Sequence, residues 1–294
     1  KFNLVSIINV LISAPRIPLD INFRNDITGE TALYIASKYG NLNIVRLLIQ
    51  NNADINLERI GNAYTPMYIA TLNHKTNVAI ELMRVGADPN TINRINNRSV
   101  LFIASYYDNI DLVRALLVRG ADPNLESDIE GTTPLYAAAR YNNLMIVNEL
   151  LKPIWNTDAN KVRLDTGETP LHIAVWKNNI HIVKTLLEHG VNPNIARTDN
   201  QHTPLITAVI YAKRYFDLRI LRILMNTPLI NPEQAIVYHQ THRHLMMNNN
   251  NTTDNDIHKV LTVSTPKYEN IPKYSKNQTP PNFWNNVRGQ PPNY

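Results

Sequence analysis

The chain of 294 residues is long enough for one large domain or two ordinary ones. Its hydrophobic content of 44% and charged content of 18% are those of a folded protein rather than a disordered one. The absence of cysteine excludes a disulfide framework and a thiolate metal site. The formal charge of +5 comes without a lysine- and arginine-rich run, which argues against a nucleic-acid binder, and no apolar run reaches the roughly 18 residues of a membrane span.

The N-terminal segment KFNLVSIINVLISA has a lysine, an apolar centre and small residues, a pattern that also occurs in signal peptides. Its isoleucine and leucine residues instead recur with the spacing of a helix that buries one face. Asn22 stands 34 residues before Asn56, in register with the rest of the chain. We therefore predict a partial repeat over residues 1–22 rather than a signal peptide.

Six segments of similar sequence follow one another up to about residue 229. Their first residues differ in number by 34, 34, 34, 36 and 34, and an insertion of two residues around KPIWNTDAN explains the longer step. A period of this length indicates an array of structural units that stack on one another. The six segments begin at Thr31, Thr65, Ser99, Thr133, Thr169 and Thr203.

Each segment has the pattern of two short helices. The hydroxyl of its first residue can cap the first helix, and in four segments a proline follows where a missing N–H is tolerated. Residues that accept left-handed backbone, such as Gly40 and Asn142, separate the two helices, and Gly86, Gly120 and Gly190 suit the end of the second helix. Apolar pairs in the second helix form one buried face, and the short polar link to the next segment favours a hairpin.

These segments resemble the ankyrin repeat. The resemblance lies in the TPLHIA start at Thr169, the paired leucines of the second helix and the GADPN ending, and it extends over about residues 4–229. It implies an all-α fold, a solenoid of stacked helix pairs joined by β-hairpin turns. The family uses the position of His172 for local hydrogen bonding, and tyrosine, phenylalanine or isoleucine replaces it in the other segments. We therefore expect His172 to be structural.

The C-terminal part departs from the period. The last repeat has about four extra residues between its helices, and residues 231–247 read as a capping helix. Residues 248–294 are rich in asparagine and proline without a sustained period, so we predict a disordered tail.

Candidate catalytic and metal-binding residues are few. His239, His242 and His244 form an H-x-x-H-x-H pattern, but no acidic third ligand stands at helical spacing, so we expect solvated or capping histidines and no metal. A phosphate-binding loop, a G-x-S-x-G motif and the protein-kinase motif set are absent from the sequence. We predict no enzymatic activity and no cofactor.

The resemblance also implies where a partner protein would bind. Ankyrin arrays use the concave side, which consists of hairpin tips and the exposed ends of the first helices. The seventh and eighth positions after each first residue map to that side and hold five tyrosines and a tryptophan, with basic residues between them. Aromatic and arginine residues are enriched at interface hot spots; in the alternative interpretation, these rings rest on neighbouring helices. The predicted partner-binding residues are Lys38, Tyr39, Leu72, Asn73, Tyr106, Tyr107, Arg140, Tyr141, Trp176, Lys177, Ile210 and Tyr211.

The chain ends in Pro291, Pro292, Asn293 and Tyr294, which resembles the PPxY motif bound by WW domains. Two functions follow. The first is a non-catalytic scaffold that binds a partner protein on the concave surface. The second is an effector or ubiquitin-ligase adaptor, in which the array selects a client and the tail recruits other machinery. Either would be a monomeric intracellular protein without nucleic-acid partners, located in the cytoplasm or, for a protein of a virus or intracellular bacterium, in the host cytoplasm.

Overall fold

The computed structural model describes residues 20–242 and 251–263. This part of the chain contains fourteen α-helices, one short 3-10 helix (Pro153–Trp155) and no β-strand. The first helices of the six repeats are α1 (Ala32–Tyr39), α3 (Pro66–Leu72), α5 (Val100–Tyr106), α7 (Pro134–Arg140), α9 (Pro170–Trp176) and α11 (Pro204–Tyr215). The second helices are α2 (Leu42–Gln50), α4 (Thr76–Arg84), α6 (Ile110–Val118), α8 (Leu144–Leu150), α10 (Ile180–Glu188) and α12 (Arg219–Met225). Helices α13 (Glu233–Thr241) and α14 (Asn251–Val263) follow the last repeat.

The first helix of every repeat begins at the predicted threonine or serine. In each repeat the hydroxyl oxygen accepts a hydrogen bond from the backbone N–H three residues later, as Thr169 does from His172 at 3.2 Å. Left-handed residues separate the helices of a pair, for example Gly40 (φ 78) and Asn142 (φ 64). The local signals in the sequence therefore set the boundaries of the helices.

The helices form two layers. Each first helix packs against the first helices of the adjacent repeats and against its own second helix, and the second helices pack against one another in the same order. One continuous apolar core runs between the layers, from Leu33 in α1 to Leu261 in α14. Each repeat buries its apolar face against its neighbours, so the interfaces between adjacent repeats stabilise the array. The all-α stack of helix pairs confirms the predicted fold class.

The links between adjacent repeats are turns with little β-bridge pairing. Ser127 and Thr132 form an isolated antiparallel bridge, and Ile92 pairs with Ser99 in the same way. Asparagine side chains add contacts from one repeat to the next, because the Oδ1 atom of each accepts a hydrogen bond from a backbone N–H in the following repeat. These asparagines are Asn22, Asn90, Asn124, Asn160 and Asn194.

The C-terminal helices differ in part from the sequence prediction. The extra residues of the last repeat lengthen α11 to twelve residues, up to a left-handed C-cap at Phe216 (φ 59). Residues 251–263, predicted as part of the disordered tail, form α14. This helix forms because Ile257 and Leu261, one turn apart, bury their side chains against α11, α12 and α13.

Several predicted elements lie outside the described residues, in whole or in part. They are the partial repeat before Asp20, the end of the predicted capping helix at 243–247, and the PPxY-like residues Pro291, Pro292 and Tyr294.

Candidate protein-binding surface

The C-terminal ends of the first helices lie in a row, one per repeat, because these helices pack side by side. We call the twelve predicted partner-binding residues, together with His74, the helix-end surface. None of its residues is fully buried. The side chains of Tyr39, Tyr107, Tyr141 and Trp176 are 40–65% exposed, so these rings are accessible to a partner.

Four rings of this surface form one cluster. The ring centre of Tyr106 lies 4.3 Å from that of Tyr141 and 4.7 Å from that of Tyr107, and His74 lies 4.7 Å from Tyr107. We call His74, Tyr106, Tyr107 and Tyr141 the aromatic cluster. Ring pairs of this kind contribute about 0.5–1.5 kcal/mol each beyond the area that they bury. The cluster therefore holds rings from the second, third and fourth repeats in a fixed arrangement.

Basic side chains lie beside the rings. The guanidinium of Arg140 is 5.8 Å from the ring centre of Tyr141, and that of Arg98 is 5.5 Å from the ring centre of Phe102. In the first repeat Lys38 lies 5.8 Å from the ring of Tyr39. Cations at this distance from an aromatic face are attracted by it. Lys38 and Arg140 are thereby held near exposed rings, whereas Arg98 lies over the buried ring of Phe102.

The hydroxyl of Tyr141 keeps its proton. Burial raises the pKa of Tyr141 above its ordinary value, and its hydrogen bond with Tyr106 acts in the same direction. A neutral phenol both donates and accepts hydrogen bonds. The cluster can therefore offer polar contacts to a partner as well as ring surface.

The predicted row is not continuous. The ring centre of Tyr211 lies 4.5 Å from that of Tyr215 in the lengthened α11. This pair belongs to the sixth repeat, whereas the aromatic cluster ends in the fourth. No other ring of the described residues stacks on Tyr39 or Trp176. Asn73 has a structural role, because its Nδ2 donates a hydrogen bond to the carbonyl oxygen of Ile69 at 2.9 Å.

Part of the row also rests on the core, as the alternative interpretation expects. Leu72, Tyr106 and Ile210 are half-buried and pack against the apolar core. His74 is an exposed member of the cluster that the sequence analysis missed, because it lies one position after the two that were compared. A wider window of positions after each threonine would have included it.

A family model described as ankyrin repeats (three copies) matches residues 1–93, 81–163, 101–197 and 154–234. The matches together cover most of the chain, and they begin at residue 1, where the partial repeat was predicted. The chain belongs to the ankyrin repeat family. A search of curated proteins finds no match. Ankyrin repeats are general protein–protein interaction modules, which suggests protein partners for this array.

The ankyrin histidine, His172, is fully buried and structural, as predicted. Its Nε2 lies 2.9 Å from the carbonyl oxygen of His202, which can only accept, so Nε2 carries the proton. Its Nδ1 then accepts a hydrogen bond from the backbone N–H of Thr169 at 3.2 Å. Burial lowers the pKa of His172 to about 4. The imidazole is thus a neutral bridge between two repeats.

Tyr136 shows why the ankyrin array tolerates other residues at the histidine position. Its hydroxyl donates a hydrogen bond to Glu168, directly before the first residue of the next repeat. Burial raises the pKa of Tyr136 to about 12. The role of this position is to connect adjacent repeats, and two different side chains fulfil it.

His239 is buried, so of the two predicted roles, solvated or capping, the solvated one does not apply to it. Its Nδ1 is 3.7 Å from Oδ1 of Asp254, and its ring lies 5.9 Å from that of His258, because α14 covers α13. His242 stacks on Tyr238 at 4.2 Å, and His244 lies outside the described residues. Within residues 20–242 and 251–263, no group of three or more histidine, aspartate or glutamate side chains is arranged to hold a metal ion.

No helix among the described residues is long and apolar enough to cross a membrane.

Proposed function

We propose that the protein is a non-catalytic scaffold that binds a partner protein on the helix-end surface. The observation that supports this proposal is the aromatic cluster, in which rings from three consecutive repeats form one accessible surface. Contiguous exposed aromatic surface on a soluble fold marks an interaction site. Aromatic and arginine anchors also supply most of the binding energy at protein interfaces.

The buried histidines support a non-catalytic role. His172 uses both ring nitrogens in hydrogen bonds to the backbone, and His239 is covered by α14. A general base must reach the proton that it removes from a substrate. Neither imidazole is accessible for that purpose.

The double substitution Tyr107→Ala and Tyr141→Ala tests the proposal. Partners that co-purify with the full chain, identified by mass spectrometry, should be lost from the variant, because removing one hot-spot ring weakens binding by about 2 kcal/mol or more. The variant loses the three ring pairs of the cluster, at about 1 kcal/mol each, but no core side chain, so the melting temperature should fall by about 10 °C while the array stays folded.

A matched control is Val118→Ser, which removes an exposed apolar side chain from α6, in the other helix layer. The control should keep every partner. If the double variant unfolds, the rings belong to the core and the helix-end surface is not a binding site. If it stays folded and keeps its partners, binding occurs elsewhere.

The PPxY-like end of the sequence favours a second candidate, an intracellular adaptor that joins a client to a WW-domain protein such as a ubiquitin ligase. In this function the array selects the client and Pro291, Pro292 and Tyr294 recruit the ligase. Binding of the full chain to a panel of WW domains should then depend on Tyr294 and be unaffected by Tyr107→Ala. Equal binding of wild type and Tyr294→Ala would exclude the adaptor.

A further inference from the structure

Four basic side chains at or beside the helix-end surface lack an ion-pair partner. Lys75, Arg98, Arg140 and Lys177 have no carboxylate oxygen within 4.0 Å in the described part of the chain. The Nε atom of Arg98 is buried without a hydrogen-bond partner. Burying such a group without a partner costs free energy. These cations leave the surface with positive charge that the fold itself does not neutralise.

The second-helix layer treats its charges differently. There Glu81 pairs with Arg46 and Arg84, at 3.2 and 2.8 Å. Glu149 pairs in the same way with Arg114, at 2.9 Å. In the turns after α1, α3, α5, α7 and α9, by contrast, Asp108 is the single acidic residue. Lys184 and Arg222 of the second helices also have no carboxylate oxygen within 4.0 Å in the described part of the chain, so the scarcity of carboxylates is what distinguishes the helix-end surface.

The unpaired cations are spread along successive repeats. Lys75 lies in the turn of the second repeat, Arg98 directly before the third, Arg140 at the end of α7 in the fourth and Lys177 directly after α9 in the fifth. Packed helices are about 8–10 Å apart, and an extended chain advances about 3.3 Å per residue. Three residues of an extended segment thus span about one repeat.

We propose that the occupant of the helix-end surface is an extended, acidic segment of a partner protein, with carboxylates about three residues apart. Its carboxylates pair with the four cations, and the residues between them contact the aromatic cluster and Trp176. This inference rests on the proposed function and adds the chemistry of the partner. Complementary charge of this kind sets specificity and association rate more than affinity.

Single-stranded nucleic acid also combines negative charge with stacking groups. Proteins that bind it present a groove of continuous positive charge along the backbone. Here four cations between Lys75 and Lys177, with Asp108 beside Tyr107, give a sparse and interrupted row. The spacing therefore favours a peptide with separated carboxylates.

The test is selection of a random 12-residue peptide library on the full chain, followed by affinity measurement of the most enriched peptide. Enriched peptides should carry aspartate or glutamate at about every third position. Arg140→Glu with Lys177→Glu should weaken binding of that peptide by about tenfold or more. The control Lys184→Glu with Arg222→Glu, which reverses exposed charges on α10 and α12, should change it less than about twofold.

Each other result has a distinct meaning. Peptides without acidic residues that require Tyr107 and Tyr141 would overturn the acidic partner but keep the helix-end surface as a binding site. If no selected peptide loses binding on substitution of Arg140 and Lys177 or of Tyr107 and Tyr141, the proposed function is contradicted as well. Tighter binding of a 20-residue oligothymidylate than of the best peptide, sensitive to Arg140→Glu, would assign the surface to nucleic acid.

Discussion

His172 should make the stability of the array depend on pH between about 6.5 and 4. In the unfolded chain its imidazole has the ordinary pKa of 6.5, and burial lowers the pKa in the fold to about 4. Between these values the unfolded state binds more protons than the folded state. The free energy of unfolding therefore falls as the pH decreases through this window and stays high above it.

The size of the effect follows from the two pKa values. One pKa unit corresponds to about 1.4 kcal/mol, and lowering the pH from 7 to 5 should cost about 2 kcal/mol through His172 alone. The imidazole connects the fifth repeat to the carbonyl oxygen of His202, before the sixth. In an array held together by nearest-neighbour interfaces, the loss should appear first at this interface.

Urea unfolding at pH 7 and pH 5, followed by circular dichroism, measures this difference. His172→Phe removes the titrating group and places the residue type of Phe102 at the equivalent position, so its stability should change by about 2 kcal/mol less than that of the wild type. His181→Gln, an exposed change on α10, should keep the wild-type pH dependence. Equal pH dependence of the wild type and His172→Phe would refute the buried neutral imidazole.

Four further changes test the packing of the array. Leu117→Ala, in the buried layer of second helices, should lower the free energy of unfolding in urea by about 2–5 kcal/mol. Gly120→Ala should cost about 1 kcal/mol because of its positive φ. In thermal melts of the two glycine variants, Gly167→Ala should lower the stability more, because its Cβ would lie 2.6 Å from the backbone nitrogen of Thr198. Leu261→Ala should speed amide hydrogen exchange in α14 while the six repeats keep their protection.

Each of these changes has its own reference. Val118→Ala, next to Leu117 but exposed, should cost less than about 0.5 kcal/mol. A similarly small loss for Leu117→Ala would show that Leu117 does not lie on the buried face of α6. Equal melting of the two glycine variants would contradict the close approach of the fifth and sixth repeats at Thr198. Unchanged exchange in α14 would show that Leu261 does not hold this helix on the array.

The sequence predicts the repeats well because their signals are local. The N-cap at Thr169 depends on the backbone N–H of His172, three residues later. The left-handed turn at Asn142 depends only on a residue type that accepts positive φ. Contacts between repeats then follow from the constant period. Helix α14 escapes prediction because a few apolar side chains, chiefly Ile257 and Leu261, anchor an otherwise polar segment on a surface formed by distant residues.

The candidate site is predictable in position but not in detail. Tyr107 and Tyr141 stand at the predicted offsets and are accessible. Their clustering depends on how the rings orient across repeats, and the period does not determine ring orientation. The period likewise does not show that the side chain of Asn73, a predicted partner-binding residue, bonds to the last turn of its own helix.

In the proposed function, the helix-end surface can vary its specificity because the ends of the first helices depend on the backbone of the residues there. Tyr107, Tyr141 and Lys177 each end a first helix, and their N–H groups donate to the carbonyl oxygens of Ile103, Ala137 and Ile173. These bonds do not depend on the side chain, which explains why tyrosine and lysine occupy equivalent positions. A change such as Tyr141→Lys would therefore alter what the surface binds while the helix keeps its C-terminal hydrogen bond. Partner choice can then change repeat by repeat without a change in the core, since the core residues lie at other offsets.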